Sequence, residues 1–190
     1  MKKITFSETY GLHDAVISGR KTMTRRVVSQ RLLFNAKLLQ MRYDIAINGY
    51  LMLHSPYQLG RKVAIAQRYS ELPKELLYDS DDILRISQSQ FEKGWNNKMF
   101  VKAELMLHHI RITDVRVEPL QNISDEDCLK EGLKDFSLPN RNQFGILVKK
   151  QWAYFDSPRQ AFSELIDKIS GKGTWERNPL VYVYEFELID

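Results

Sequence analysis

The run Ile110-Arg111-Ile112-Thr113-Asp114-Val115-Arg116-Val117-Glu118 constrains the fold more than any other stretch. Its apolar residues occupy even positions as far as Ile112 and odd positions from Val115. A regular strand sends alternate side chains to opposite faces, so the run must either misplace half of its apolar residues or take up one extra residue in a bulge. The spacing predicts a strand bent at Thr113-Asp114, as happens where a barrel strand turns a corner. The run Val181 to Leu188 alternates without interruption and sets Tyr182, Tyr184, Phe186 and Leu188 on one face.

The remaining elements follow from periodicity and from start and stop residues. Lys3 to Phe6 and Thr22 to Val28 are predicted strands, and Val63 to Tyr69 is a third, with Val63, Ile65, Gln67 and Tyr69 on one face. Glu8 to Ser18 and Ser29 to Gln40 carry apolar residues at helical spacing, and Leu72 to Ile86 is read as a helical insertion followed by a connecting loop from Phe91 to Phe100. Ser124 opens a helix with acidic residues in its first turn, which Gly132 ends. Ser157-Pro158 opens another, bearing Phe162, Leu165, Ile166 and Ile169, which stops at Gly171 and presents Trp175. Strands with interspersed helices and no strand-helix-strand rhythm predict an α+β fold built on a small, mostly antiparallel β-barrel with flanking helices.

At 190 residues the chain fits a single domain, 1-190, with insertions at about 29-57 and 72-100. No linker, repeat or low-complexity run divides it. A hydrophobic content of 43% with no long apolar run or signal-like start predicts a cytoplasmic protein without a membrane partner. The single cysteine, Cys128, excludes an internal disulfide and reads as a small buried hydrophobe. His13, His54 and His108-His109 have no metal-ligand spacing, so neither a metal nor another cofactor is expected. Gly171-Lys172-Gly173-Thr174 lacks the first glycine of a phosphate loop and follows a helix where that motif precedes one.

Chemistry concentrates in the octet Gly19-Arg20-Lys21-Thr22-Met23-Thr24-Arg25-Arg26, directly behind the first amphipathic helix. A formal charge of +4 is too small to establish a polyanionic partner, but this cluster describes a local anion site. Three readings of Lys21 and Arg20 stand side by side: a solvated helix end, an anion or RNA site, and a catalytic group. Gln67 can pair bidentately with a base edge, and Tyr69 and Trp175 are candidate stacking surfaces, with Trp175 and Trp95 also read as core.

In its order of motifs the chain resembles the ASCH domains of the larger, phage-associated type in the PUA-like superfamily. The matching residues are the octet, a strand led by Gly60, Arg111 to Val117 running into Leu120 to Asp127, Glu131-Gly132, Trp175 to Pro179 and the final strand. The resemblance implies a β-barrel with flanking helices and RNA or a modified nucleoside as partner. A branch of that superfamily consists of amidohydrolases that deacetylate N(4)-acetylcytidine. Carried over to this sequence, its lysine, threonine and glutamate fall on Lys21 as proton acceptor, Thr24 as nucleophile and Glu131 as proton donor. The expected function is therefore RNA or nucleoside binding in a basic cleft that includes Arg20, Arg25, Arg26 and Gln67. The alternative is hydrolysis of an acylated cytidine by Lys21, Thr24 and Glu131. A third reading is an accessory protein whose barrel contacts another protein. Residues three apart in a straight strand face opposite ways, so Lys21 and Thr24 meet only if the chain turns between them.

Overall fold

The computed structural model describes residues 1–190. The chain begins with a two-residue strand, β1 (Lys3–Ile4), and enters α1 (Leu12–Ile17) through Gly11 in the left-handed region. Gly19, at φ 72°, turns the chain out of α1 into β2 (Met23–Val27). The Ser29 hydroxyl accepts from the Leu32 N–H at 3.3 Å and caps α2 (Gln30–Tyr43), against which α3 (Ile47–Leu53) packs. Next come β3 (Lys62–Ile65), the single turn α4 (Lys74–Leu77), α5 (Gln88–Trp95) and the long β4 (His109–Pro119). Ser124 caps α6 (Asp125–Lys130), which leads into the short β5 (Lys134–Asp135) and the hairpin of β6 (Phe144–Val148) and β7 (Gln151–Phe155). Ser157 caps α7 (Pro158–Ser170), whose first helical residue is the expected proline; α8 (Thr174–Arg177) and β8 (Leu180–Leu188) complete the fold.

Five strands form one sheet in the order β1-β3-β4-β8-β2, and β5-β6-β7 form a second. Only β1 and β3 run parallel. The register of β4 on β8 steps from Ile112 opposite Phe186 to Asp114 opposite Glu185, leaving Thr113 as the extra residue that the parity of the sequence required. Central strand β8 is buried on both faces, with Val181 and Val183 on one and Tyr182, Tyr184 and Phe186 on the other. Tyr182 donates to the Leu51 carbonyl, and the Tyr184 and Ser55 hydroxyls bond each other, both at 2.8 Å, which fixes α3 and the turn after it over this face. Helix α7 packs on β6 and β7 and buries Phe162, Leu165 and Ile166 in the main core.

The expected barrel does not form: the protein is mixed α+β with two separate open sheets. The bulge bends β4, yet closure also needs the outer strands to pair along their length. Strand β1 offers two residues for this, and its only partner is β3. Across the gap a side chain substitutes for a ladder, with Arg26 Nη2 donating to the Thr5 carbonyl at 2.6 Å.

The segment from 64 to 106 builds a second, smaller core around the fully buried Tyr69. Here the helical insertion reduces to α4, and the expected loop at Phe91–Phe100 instead begins inside α5. Gly94 and Trp95 hide that helix in the sequence, but Phe91 stacks parallel to Tyr69 at 6.3 Å and Gly94 lies against the same ring. A Cβ at Gly94 would stand 2.3 Å from Tyr69 Cε2. Gly94→Ala is therefore expected to destabilise the protein by about 1–3 kcal/mol in urea unfolding. An unchanged midpoint would mean that α5 does not pack there. No helix is long and apolar enough to cross a membrane.

Candidate functional site

The gap between the two outer strands holds a cleft of about 90 Å³, bordered by Thr5, Phe6 and Ser7 after β1, by Lys21 and the β2 residues Thr24 to Val27, and by Glu131. Phe162, Leu165, Ile166 and Ile169 of α7 form its apolar wall. The volume equals about three water molecules at about 30 Å³ each, well below the range of about 300–1,000 Å³ that encloses a whole small-molecule ligand.

Lys21 lies two residues before β2, held by its own N–H on the Ala15 carbonyl at 2.7 Å, and the Thr22 N–H bonds the Lys130 carbonyl at 3.0 Å. The chain thus turns before the strand begins, which lets Lys21 and Thr24 border one cleft. Lys21 is 2% exposed, and Nζ donates to Met23 O at 2.6 Å, Glu131 O at 2.7 Å and Glu131 Oε2 at 2.7 Å. Its stem packs on Gly132, where a Cβ would meet Lys21 Cβ at 3.2 Å and where φ is +102°. Burial pushes the Lys21 pKa down; Glu131 opposes the shift and the cations of Arg26 and Arg25 add to it. The hydroxyl of Thr24, which is 4% exposed, enters none of the chain's side-chain hydrogen bonds.

Arg25 secures the other side of Glu131. Its Nη1 reaches Glu131 Oε1 at 3.4 Å, and Nη2 donates to Glu118 Oε1 and Asp127 Oδ2, both at 2.8 Å. Burial works against the charge of Arg25, but Glu131, Asp127 and Glu118 outweigh it and raise the pKa. Arg116 of β4, one strand beyond β8, extends the network to Asp127, Asp114 and Glu185 at 2.8–3.1 Å. Sequence reasoning missed these carboxylates. Two signals pointed to them: Asp127 in α6 and Glu131 at its C-cap are four apart, and Asp114, Arg116 and Glu118 share a face of β4 beyond its bulge.

The other expected site residues lie elsewhere or are already engaged. Arg20 donates to the Gly132 carbonyl and lines a separate cavity of about 150 Å³ with Tyr10 and Trp152. Arg26 reaches into the cleft, its Nε buried without a partner. Gln67 Oε1 accepts the Leu107 N–H at 3.1 Å inside the smaller core. Tyr69 is fully buried, and its hydroxyl accepts from Lys102 N at 2.8 Å, so its ring is not presented to a base. Trp175 is half-buried, edge-on to Phe162 at 6.2 Å and under the guanidinium of Arg159 at 5.1 Å. The pKa of Cys128, buried as expected, is raised to about 12 by burial and by Asp125, which disfavours the thiolate.

Fold and site together define an α+β protein with a small cleft at an unclosed sheet edge and a buried ion-pair network behind it. No family model matches the chain, and no curated protein matches it. Among solved structures it is similar to the crystal structure of protein EF3133 from Enterococcus faecalis V583, described under the family model DUF984. The identity is 16%, over 94% of this chain and 67% of that one, with a TM-score of 0.38.

Proposed function

We propose that the protein hydrolyses an acyl group from a small acylated amine, with an N-acylated nucleobase such as that of N(4)-acetylcytidine as the substrate class. The observation that carries this reading is the buried Lys21–Glu131 pair, 2.7 Å apart, bordering one cleft with the uncommitted hydroxyl of Thr24. The resemblance to the ASCH-related amidohydrolases assigns roles to the same three residues.

The chemistry runs in balanced steps. Lys21 first loses a proton to solvent and gives up one of its three donated bonds; Thr24 Oγ then attacks the acyl carbon and its proton passes to the neutral Nζ. The carbon–nitrogen bond then breaks, and the leaving amine takes a proton delivered through Lys21 and Glu131. Water hydrolyses the acyl ester on Thr24, releasing the acid and restoring the hydroxyl. A cleft of about 90 Å³ takes the acyl group and the reacting edge of the base, while the rest of a nucleoside stays at its mouth.

Acetate and cytidine are expected from N(4)-acetylcytidine and purified protein. The rate should rise with pH as Lys21 loses its proton, with an inflection below the ordinary lysine value of 10.5. Absence of turnover on acylated bases at any pH would overturn the proposal.

A phosphate-reading RNA groove is disfavoured because the cations of the octet are spent internally. Lys21 and Arg25 face Glu131, Glu118 and Asp127, and Arg20 and Arg26 are tied to carbonyls. Between 50 and 200 mM salt, KM for the nucleoside should change less than about threefold, against about 10³–10⁵ for a protein making 6–10 phosphate contacts. A steep salt dependence would restore the RNA reading.

A further inference from the structure

Four consecutive residues of β2, Thr24, Arg25, Arg26 and Val27, border the cleft. Alternating side chains cannot all reach a cavity on one face of a strand, so the cleft lies against the strand's edge and meets its main chain. The register fixes which groups it meets. Phe186 N–H donates to Thr22 O and Val28 N–H to Leu180 O, so the even-numbered residues of β2 exchange hydrogen bonds with β8. Met23, Arg25 and Val27 therefore turn their N–H and C=O groups away from β8. The Met23 carbonyl is already taken by Lys21 Nζ at 2.6 Å. Arg25 is 4% exposed and Val27 is 39% exposed at the mouth, so Arg25 presents the enclosed pair. A buried main-chain donor and acceptor without partners are rare and call for a ligand.

We infer that the main-chain N–H and C=O of Arg25 hold the ligand, pairing with a planar edge that carries an acceptor and a donor side by side. Cyclic amides and amidines have such an edge, as do nucleobases, whereas a trans amide places the two groups on opposite sides. An extended peptide does not satisfy the geometry, because the Arg26 side chain crosses to Thr5 O and blocks the path along β2. The pairing sets the ligand directly beside Thr24. It rests on the proposed function for the identity of the substrate but not for the free edge.

Amide hydrogen exchange measured by NMR on the unliganded 190-residue chain tests the edge itself. Arg25 should exchange about 100-fold faster than Thr24 and Arg26, whose N–H groups bond to β8. Equal protection of the three would overturn the inference. Cytidine and δ-valerolactam should then shift the Arg25 amide signal and slow its exchange about tenfold, while N-methylacetamide should not. Failure of both cyclic probes to move Arg25, or an equal response to the trans amide, overturns the inference. Turnover of N(4)-acetylcytidine with Arg25 unmoved removes this inference and leaves the hydrolase standing. Protection of Arg25 by cytidine without turnover does the reverse.

Discussion

Arg25→Met should lower the stability of the protein by about 3–5 kcal/mol, since it removes a fully buried cation and leaves three carboxylates with less positive charge than they need. Glu118 and Asp127 would retain Arg116, and Glu131 would retain Lys21, so the loss falls short of three broken pairs. For a chain of this length the cost corresponds to a Tm lower by about 6–20 °C. Charge, and not packing volume, is the cause, so Arg25→Met combined with Glu118→Gln should recover part of the loss in a double-mutant cycle. Additive effects in that cycle, or a Tm unchanged by Arg25→Met alone, would mean that the network does not stabilise the fold.

The largest expected effect on activity is at Thr24 and Lys21. Thr24→Val keeps the shape of the side chain and removes the nucleophile, while Lys21→Met keeps most of the stem and removes the base. Each should reduce kcat/KM by about 10²–10⁴, and the double variant should be little worse than either single one, because the two groups act in the same step. Lys21→Met also has a signature in stability. The folded state holds the Lys21 proton less tightly than the unfolded chain, so wild type should gain stability relative to Lys21→Met as pH rises from the depressed folded value to about 10.5. A difference between the two that stays constant with pH would show that Lys21 is not desolvated in solution, and normal turnover in Thr24→Val would remove the nucleophile.

Local rules carried well where one residue type decides the geometry. The serines at 124 and 157 cap the helices they were expected to open, and the parity jump in β4 became a bulge at Thr113. They failed where distant segments decide. Whether a bent sheet closes depends on the lengths of its two outermost strands, and β1 reads longer in sequence than the two residues that pair. The hairpin between β6 and β7 turns on Lys149 and Lys150, both at positive φ, where the sequence reads only a basic pair; lysine carries no turn signal. Within the site, the octet marked Lys21 from its own residues, whereas Glu131 was named through the family resemblance alone. The spatial partners of Arg25 come from β4 and α6, about a hundred residues away; local spacing groups those carboxylates with each other but not with Arg25.

The place of β8 in the sheet has a consequence for how the protein is made. It is the last of the eight strands to leave the ribosome, yet it lies between β4 and β2 and is the only strand that pairs with β2. Until residues 181–185 have emerged, β2 has no ladder to join and the strand that carries Thr24 beside the Lys21–Glu131 pair is not fixed. Such a chain cannot complete its sheet until β8 is in place, and it leaves strand edges open until then. Nascent chains stalled before Leu180 would have the whole octet and still lack the site.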